Sequence, residues 1–228
     1  MSTRKIQFFN DTYYHVFNRG VDKRDIFLEI KDYERFLISI NLLNDTNDGL
    51  MIEWRDYKKN NPSKSIADFL KGTFRNRKRE HLVELIAYCL NPNHFHFILK
   101  QTTEKGIERF MHKIGTSYTK YFNNKNKRNG ALFQGTFKSA YIDSDEYLLY
   151  LSAYVNKNNF IHAYNKNDNW PYSSLSDYLK NKNNILITIN KNIILDQFKN
   201  IKEYEEYLKN NALYMKDKKE TSRNLLEE

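Results

Sequence analysis

Four short segments of the chain combine β-branched and aromatic residues with bounding turn signals. The first, "TYYHVFNRG", ends at Gly20 and predicts a strand. Two more strands are predicted in "HLVELIAYCL" and "HFHFILKQ". The turn "NPN" joins them, which predicts an antiparallel hairpin. A fourth strand is predicted in "LFQGTFKSAYI".

Three other segments carry their apolar residues at helical spacing. They are "KDYERFLISINLL", residues 106–124, and a stretch that begins at Asp143, where Glu146 three residues later indicates a capping box. The predicted order is β, α, β, β, α, β, α. This order is typical of an α+β fold with a ferredoxin-like antiparallel sheet and helices packed mainly on one face.

Composition divides the chain into a domain and an extension. Residues 1–175 hold all the predicted core elements, and within them 45–80 is a polar stretch that predicts a surface insertion with one short helix, "SIADFL". Residues 176–228 are rich in Asn and Lys, and "NIKEYEEYLKNNALYMK" predicts an amphipathic helix there. We therefore expect one domain at residues 1–175, which would carry any catalytic site, followed by a helical C-terminal extension at residues 176–228.

The charge balance favours a polyanionic partner. Lys and Arg total 37 against 28 Asp and Glu, which gives a net charge of +9. A membrane partner is disfavoured because mean hydropathy is −0.80 and no apolar run approaches the ~20 residues of a bilayer span. No secretory signal is visible in "MSTRKIQFFN", so we expect a cytoplasmic protein. The single cysteine, Cys89, excludes an intramolecular disulfide and a multi-cysteine zinc motif.

Two histidines lie one residue apart in "NPNHFHFIL". Side chains alternate along a strand, so His94 and His96 project from one face while Phe95 and Phe97 enter the other. This arrangement suits two ligands of one metal ion. The alternative is that the imidazoles only form hydrogen bonds at the sheet surface, but buried imidazoles each need a partner.

Tyr154 and Asn158 supply a second pair of polar groups at helical spacing. Residues four apart share a helix face, so the phenol and the amide are expected to point together towards the sheet edge. Among the tyrosines of the two long central helices, only Tyr154 has an amide or acid four residues later. Taken alone, Tyr154 could equally be a packing aromatic.

These motifs together resemble the single-tyrosine HUH transposases, specifically the branch of REP-associated tyrosine transposases. The resemblance rests on His-x-His on a strand, Tyr-x-x-x-Asn on a later helix, and the intervening "YFNNKNKRNGALFQGTFKSAYIDSDEYLLYLSAYV". The segments "YYHVFNRGVDKRDIF", "DYERFL" and "WPYSSLSDYL" are similar to that branch as well. The likeness extends from about Tyr13 to Leu208.

The resemblance implies a role for each matching residue. His94, His96 and Asn158 would bind a metal ion, and Tyr154 would attack a phosphate of single-stranded DNA, leaving a 5′-phosphotyrosine and a free 3′-hydroxyl. Three neutral ligands leave the ion its full charge, which favours Mg²⁺ or Mn²⁺ as cofactor. The implied partner is hairpin-forming repeat DNA, with nucleoid association and a monomer favoured over a homodimer.

Two positions depart from the family pattern. After the tyrosine the family usually reads close to Leu-Asn-Pro-Val, whereas this chain has "KNNF", which keeps Asn158 but replaces the proline by Asn159. In "LFQGTF", Thr136 stands where an arginine is common. The resemblance implies that the first change alters the end of the helix and that the second weakens a phosphate contact, while neither removes a catalytic role.

Basic and aromatic side chains near these motifs are candidates for DNA contact. Backbone contacts are expected from the 71–79 basic block, and individually from Arg19, Arg109, Lys113, Lys120, Lys125, Lys127, Arg128 and Lys138. Base stacking is expected from Phe133, Tyr141 or Trp170. Any one of these lysines could instead be a solvated surface charge, and Trp170 could instead pack the C-terminal tail onto the domain.

We therefore predict a metal-dependent, single-strand-specific DNA endonuclease and strand transferase. The alternative is a catalytically silent nucleic-acid-binding or regulatory protein on the same fold. A replication initiator or relaxase is a third option, disfavoured because such proteins usually carry a longer spread of motifs.

Overall fold

A four-stranded antiparallel sheet forms the centre of the protein. The computed structural model describes residues 7–164, 170–180 and 186–224. The strands, in the spatial order β2-β3-β1-β4, are β1 (Tyr13–Arg19), β2 (Val83–Asn91), β3 (His94–Gln101) and β4 (Lys138–Ile142). All neighbouring pairs are antiparallel, which confirms the predicted ferredoxin-like sheet.

Helices connect the strands and continue beyond the last one. Within the described residues they are α1 (Ile30–Leu43), α2 (Leu50–Asn60), α3 (Ile66–Thr73), α4 (Gly106–Lys125), α5 (Asp145–Asn156), α6 (Asn158–Ile161), α7 (Leu175–Leu179), α8 (Asn192–Leu195) and α9 (Ile201–Asn224). A short 3₁₀ turn at Val21–Lys23 follows β1.

The hairpin between β2 and β3 turns through only Pro92 and Asn93, as the sequence predicts. The segment after β1 holds this turn in place through two backbone hydrogen bonds. The carbonyl of Pro92 accepts from the amide of Ile26 at 2.7 Å, and the carbonyl of Asn93 accepts from the amide of Gly20 at 2.9 Å. Gly20 is required at this approach, since a Cβ there would lie 2.2 Å from the carbonyl oxygen of Arg24. The start of β3 is therefore held rigidly against the end of β1.

Helices cover both faces of the sheet, which corrects the expectation of packing mainly on one face. One core joins the sheet to α1 and α4 through side chains such as Phe36, Phe97 and Phe110. A second core on the opposite face joins Ile98 to α5 and α9. The reason is that five consecutive residues of β3, from Phe95 to Leu99, are buried, so both faces need an apolar cover.

The insertion contains two helices, whereas the sequence analysis predicted one. Helices α2 and α3 form a small cluster of their own in which Leu50 and Phe69 are buried, and Trp54 packs against it. Because the apolar face of α2 is narrow and its other positions are charged, it lacks the broad apolar stripe of a core helix. The cluster remains tied to the main domain through the end of α1.

Several predicted boundaries of strands and helices differ from those in the structure. The fourth strand begins at Lys138 and not at 132, since Gly135 adopts a positive φ of 70° and interrupts the extended chain. Helix α5 begins at Asp145, and its cap is the Ser144 hydroxyl, which accepts from the amide of Tyr147, so the capping box predicted at Asp143 is wrong. This helix also ends before Asn158, which opens α6.

The C-terminal extension packs on the sheet domain. The predicted division at 175/176 falls at the start of α7, and α9 buries Tyr204 and Leu208 in the core shared with α5. The division into two domains stays a prediction, although these contacts make the extension part of the folded unit.

Asp32 connects the start of α1 to α4. One carboxylate oxygen accepts from the amides of Leu28 and Glu29, and the other accepts from the Tyr121 hydroxyl at 2.9 Å and the Lys125 ammonium at 2.5 Å. Burial opposes ionisation of this carboxyl, but the bonds from Lys125, Leu28 and Tyr121 outweigh burial and lower the pKa of Asp32.

Replacing Asp32 should therefore cost stability. We expect Asp32→Asn to lower the free energy of unfolding by about 1 to 3 kcal/mol, because an amide has one acceptor oxygen and cannot replace a buried carboxylate that accepts from four donors. Urea unfolding at neutral pH measures the change. The matched control is Glu34→Gln on the exposed side of the same helix, and equal losses in the two variants would contradict the assignment.

Candidate active site

A cleft of about 650 Å³ opens beside the sheet, where β1 ends and β3 begins. Its walls come from six parts of the chain: β1, the 3₁₀ turn after it, the β2–β3 hairpin, the 134–138 segment, residues 154–164 and α9. The polar side chains that line it include Arg19, Asn93, His94, His96, Lys138, Tyr154, His162, Tyr164 and Lys219.

His94 and His96 project from the same face of β3, as predicted. Their rings lie 5.1 Å apart, while Phe95 and Phe97 are buried in the core on the other face. The distance between the ring centres is short enough for both rings to bind one ion at nitrogen distances of about 2.1 Å.

Hydrogen bonds fix the orientation of His94. Its Nδ1 lies 2.6 Å from Oδ1 of Asn93, and because an amide oxygen only accepts, Nδ1 carries the hydrogen. Nε2 keeps its lone pair and lies 3.1 Å from Oδ1 of Asn158. The amide nitrogen of Asn91 donates to both of these acceptors, at 3.0 Å and 2.6 Å.

Asn158 is fully buried with its amide oxygen directed at His94. Its amide nitrogen is buried without a hydrogen-bond partner among the described residues. Two acceptors that face each other at 3.1 Å repel unless a positive group lies close to both, and here the Asn91 amide takes that position. This pairing fits a site for a cation.

His96 pairs with a residue that the sequence analysis missed. Nδ1 of His96 lies 2.8 Å from Nε2 of His15 on the neighbouring strand β1, and both side chains are almost completely buried. Burial lowers the pKa of His15 to about 4, and burial together with His15, His94 and His162 lowers the pKa of His96 well below its ordinary value. Both imidazoles are therefore neutral at pH 7, the form that binds metals.

Tyr154 lies over this histidine pair. Its ring packs edge-on against His96 at 5.4 Å. Burial raises the pKa of Tyr154, and the nearby Asn158 amide opposes that rise only in part. The predicted contact between one face of β3 and the face of Tyr154 and Asn158 is thus present, although the two residues belong to successive helices.

Two further residues that the sequence analysis missed lie near the tyrosine: His162 contacts it, and Lys219 contacts His162. Nε2 of His162 lies 3.4 Å from the Tyr154 hydroxyl, and the ammonium of Lys219 on α9 lies 2.8 Å from Nδ1 of His162. Burial, Lys219 and His94 lower the pKa of His162 to about 4. The spacing of four residues between Asn158 and His162 could have indicated that the two side chains lie on one helix face. Nothing local in the sequence indicates Lys219.

The donor set around the cleft is unusual for a metal site. Across residues 7–164, 170–180 and 186–224, no three side chains of His, Cys, Asp or Glu are grouped so that they could hold an ion. A site here consequently needs an amide oxygen beside the two imidazoles. His94, His96 and Asn158 meet that requirement, and the facing acceptors described above are consistent with it.

The predicted DNA-contact residues divide into accessible and engaged groups. Arg19 and Lys138 are exposed at the cleft, and Arg19 donates to Gln134 across it. Lys120 and Phe133 line a neighbouring groove of about 910 Å³ together with Thr136, and Asn18 borders both. Lys127 and Tyr141 are exposed outside both.

Other predicted contacts already have partners within the protein. Lys113 pairs with Asp48 at 2.7 Å, Lys125 pairs with Asp32 and Glu29, and Arg109 donates to the carbonyl of Thr46. Arg128 donates to Asn123 and Ala131, and Arg79 of the basic block pairs with Asp45. Carboxylates thus partly neutralise Lys113, Lys125 and Arg79, whereas Arg109 and Arg128 donate to neutral oxygens.

Trp170 packs the tail onto the domain, which was the alternative reading of that residue. Its indole nitrogen donates to the carbonyl of Leu90 at 2.8 Å, and its ring packs edge-on against Tyr33 and Tyr172. The expectation that Trp170 stacks on DNA bases is therefore corrected, because this side chain already packs against other parts of the protein.

Comparison with known proteins agrees with the fold and the motifs. Residues 51–158 match the family model described as "Transposase IS200 like", and this range contains His94, His96, Tyr154 and Asn158. Over these residues the chain is similar to the IS200-like transposases, which agrees with the resemblance to the single-tyrosine HUH transposases. Among curated proteins, none matches the chain.

A solved structure supports the fold. It is described as a REP-associated tyrosine transposase bound to a REP hairpin, and it superposes with a TM-score of 0.50 at 15% sequence identity. The similarity covers 84% of this chain and 93% of the other. None of the helices in the described part of the chain is both long and apolar enough to cross a membrane.

Acid should destabilise the metal-free protein through His15. The unfolded chain binds more protons than the folded one between pH 6.5 and about 4, so the free energy of unfolding falls as the pH decreases through that window. A shift of this size corresponds to about 3 kcal/mol. Urea unfolding with chelator at pH 7.5, 6.0 and 5.0 measures the slope.

His15→Phe should make that pH dependence less steep, since it keeps a buried ring but removes one titrating group, while His96 and His162 remain. The control is His112→Ala, which changes an exposed histidine on α4. An unchanged slope in His15→Phe would show that His15 does not titrate in this way.

Proposed function

We propose that the protein is a metal-dependent endonuclease and strand transferase for single-stranded DNA, with Tyr154 as its nucleophile. The single observation that carries the proposal is the convergence of Tyr154, the two histidines of β3 and Asn158 at one cleft. The family match over residues 51–158 supports a transposase type of activity.

His94, His96 and Asn158 are the proposed ligands of the ion. Nε2 of His94 retains a lone pair, and Nδ1 of His96 is engaged by His15, so that Nε2 of His96 is the nitrogen available for binding. A bound Mg²⁺ or Mn²⁺ would supply positive charge that favours the phenolate and neutralises the phosphate. Burial makes such help necessary, because it raises the pKa of Tyr154.

Tyr154 performs the covalent step. Its hydroxyl oxygen forms a bond to phosphorus as the phenol loses its proton, and the bond between phosphorus and the 3′ oxygen breaks. The departing oxygen takes up a proton and becomes a free 3′-hydroxyl, while the 5′ side stays attached as a phosphotyrosine. Because the phosphodiester energy is retained, the 3′-hydroxyl of another strand can reverse the step and join the DNA.

The proposed substrate is DNA that combines a single strand with a hairpin. Arg19 and Lys138 flank the cleft and would contact phosphates, and the groove lined by Lys120 and Phe133 continues from it. The solved relative is described as bound to a REP hairpin, which supports a hairpin-forming repeat as the target here.

A covalent adduct tests this proposal. Oligonucleotides that carry candidate repeats, labelled at either end, are incubated with the protein and Mg²⁺ or Mn²⁺ and separated under denaturing conditions. We expect an adduct that carries the sequence 3′ of the cut, its loss with chelator, and its loss in Tyr154→Phe. Tyr150→Phe, one turn earlier on α5, should form the adduct normally.

The outcomes separate the candidate functions. An adduct that persists in Tyr154→Phe rejects the assigned nucleophile. Tight binding of an authentic repeat without cutting under either metal favours the catalytically silent binding protein.

Metal binding can be measured without DNA. We expect His96→Ala to weaken Mn²⁺ binding at least 10-fold, measured by the loss of the free Mn²⁺ paramagnetic resonance signal on titration, because one of three protein ligands is removed. His112→Ala should bind Mn²⁺ as the unaltered protein does. Equal affinities in the two variants would argue against this site.

A further inference from the structure

Helix α9 brings a lysine from the C-terminal extension into the cleft. Lys219 lies 57 residues beyond His162 in the chain, and yet its ammonium is 2.8 Å from Nδ1 of that imidazole. It also lies 3.5 Å from the carbonyl oxygen of Ile161. No motif of the family resemblance includes either residue, and both lie outside the matched range 51–158.

The position of Lys219 is supported by packing along the same helix. Ala212 and Met215 of α9 are buried against Ile161 of α6, and the ammonium of Lys216 lies 4.9 Å from the centre of the Phe160 ring. These contacts hold α9 against the segment that carries His162. The position of Lys219 next to the imidazole is therefore set by the packing of α9 against α6, and does not depend on the Lys219 side chain alone.

The donor on Lys219 decides which nitrogen of His162 carries hydrogen. An ammonium can only donate, so Nδ1 of His162 must accept and the single hydrogen of the neutral ring is on Nε2. Nε2 faces the hydroxyl oxygen of Tyr154 at 3.4 Å. In this tautomer His162 is a hydrogen-bond donor to the tyrosine oxygen and not a base for its proton.

We propose that Lys219 and His162 form a donor relay that stabilises the oxygen of Tyr154 during cleavage and rejoining. The bond from Nε2 of His162 strengthens as negative charge develops on the phenol oxygen, whether the phenol is attacking or the phenolate is leaving. His162 contacts the reacting atom and is a catalytic residue, whereas Lys219 acts through it and is a positioning residue. The inference rests on the proposed function, since it concerns the same tyrosine.

The relay gives the C-terminal extension a role in the reaction. Lys219 supplies positive charge behind the imidazole, on the side away from Tyr154, and therefore makes Nε2–H a stronger donor. The Tyr154 ring also packs against His96, one of the metal ligands proposed above. The nucleophile is thus supported both by the proposed metal ligands and by the pair of His162 and Lys219.

The first experiment reads the tautomer directly in metal-free protein. Long-range proton–nitrogen NMR distinguishes a ring protonated at Nε2 from one protonated at Nδ1, and the signal of His162 is assigned by its absence in His162→Gln. We expect the Nε2–H form in the unaltered protein and in Lys209→Met, an exposed lysine on the same helix. Lys219→Met should shift the ring towards Nδ1–H, and Lys219→Arg should restore Nε2–H.

The second experiment measures adduct formation in a single turnover with a saturating repeat oligonucleotide. We expect Lys219→Met to slow formation about 10-fold, a loss that corresponds to about 1.4 kcal/mol of transition-state stabilisation. Lys209→Met should have no effect, and Lys219→Arg should recover most of the rate. His162→Leu should be slower than His162→Gln, because only the glutamine amide can still donate to Tyr154.

The outcomes distinguish this inference from the proposed function. If the unaltered protein forms no adduct, the proposed function fails, and the catalytic role of the relay fails with it. If it forms the adduct at a rate that Lys219→Met does not change, or if His162 carries its hydrogen on Nδ1, the relay alone is rejected. Thermal unfolding of each variant shows whether a loss of rate follows loss of structure, and the arginine and glutamine variants decide the case if the methionine variant unfolds.

Discussion

Burial of β3 on both faces is the constraint on which the site depends. Phe95 and Phe97 fill the core under α1 and α4, so the alternate positions must point towards α5. An imidazole on that second face is largely withdrawn from bulk water and needs a fixed partner. His15, Asn91 and Asn93 provide such partners, and each comes from β1 or from the hairpin that the sheet itself positions.

Sequence patterns were sufficient for the sheet because each of its elements is defined locally. The hairpin turn, the apolar stripes of α1 and α4 and the alternation along β3 are all visible within a few residues. The second core was not foreseen, since the residues of α9 that cover the far face are separated from the sheet by a long polar stretch. Helix α2 was missed for a different reason, namely that its apolar face serves only a small local cluster.

The same distinction applies to the site. His94 with His96, and Tyr154 with Asn158, are pairs whose spacing within one element indicates a shared face. His15 meets His96 only through the register of β1 against β3, and Lys219 meets His162 only through the packing of α9. Neither relation is encoded within one short segment. The candidate DNA contacts show a similar limit, because a sequence gives the charge of Lys113 or Lys125 but not the carboxylate that already faces it.

The two tryptophans of the chain lie in different packing units, and this has a spectroscopic consequence. Trp54 packs in the small cluster of α2 and α3, whereas Trp170 packs against Tyr33 and Tyr172 beside the sheet. The indole emission of each therefore reports on a separate part of the molecule. Variants that keep one tryptophan at a time would give two optical probes of the same chain, and the order in which the insertion and the sheet lose structure could be followed by fluorescence alone.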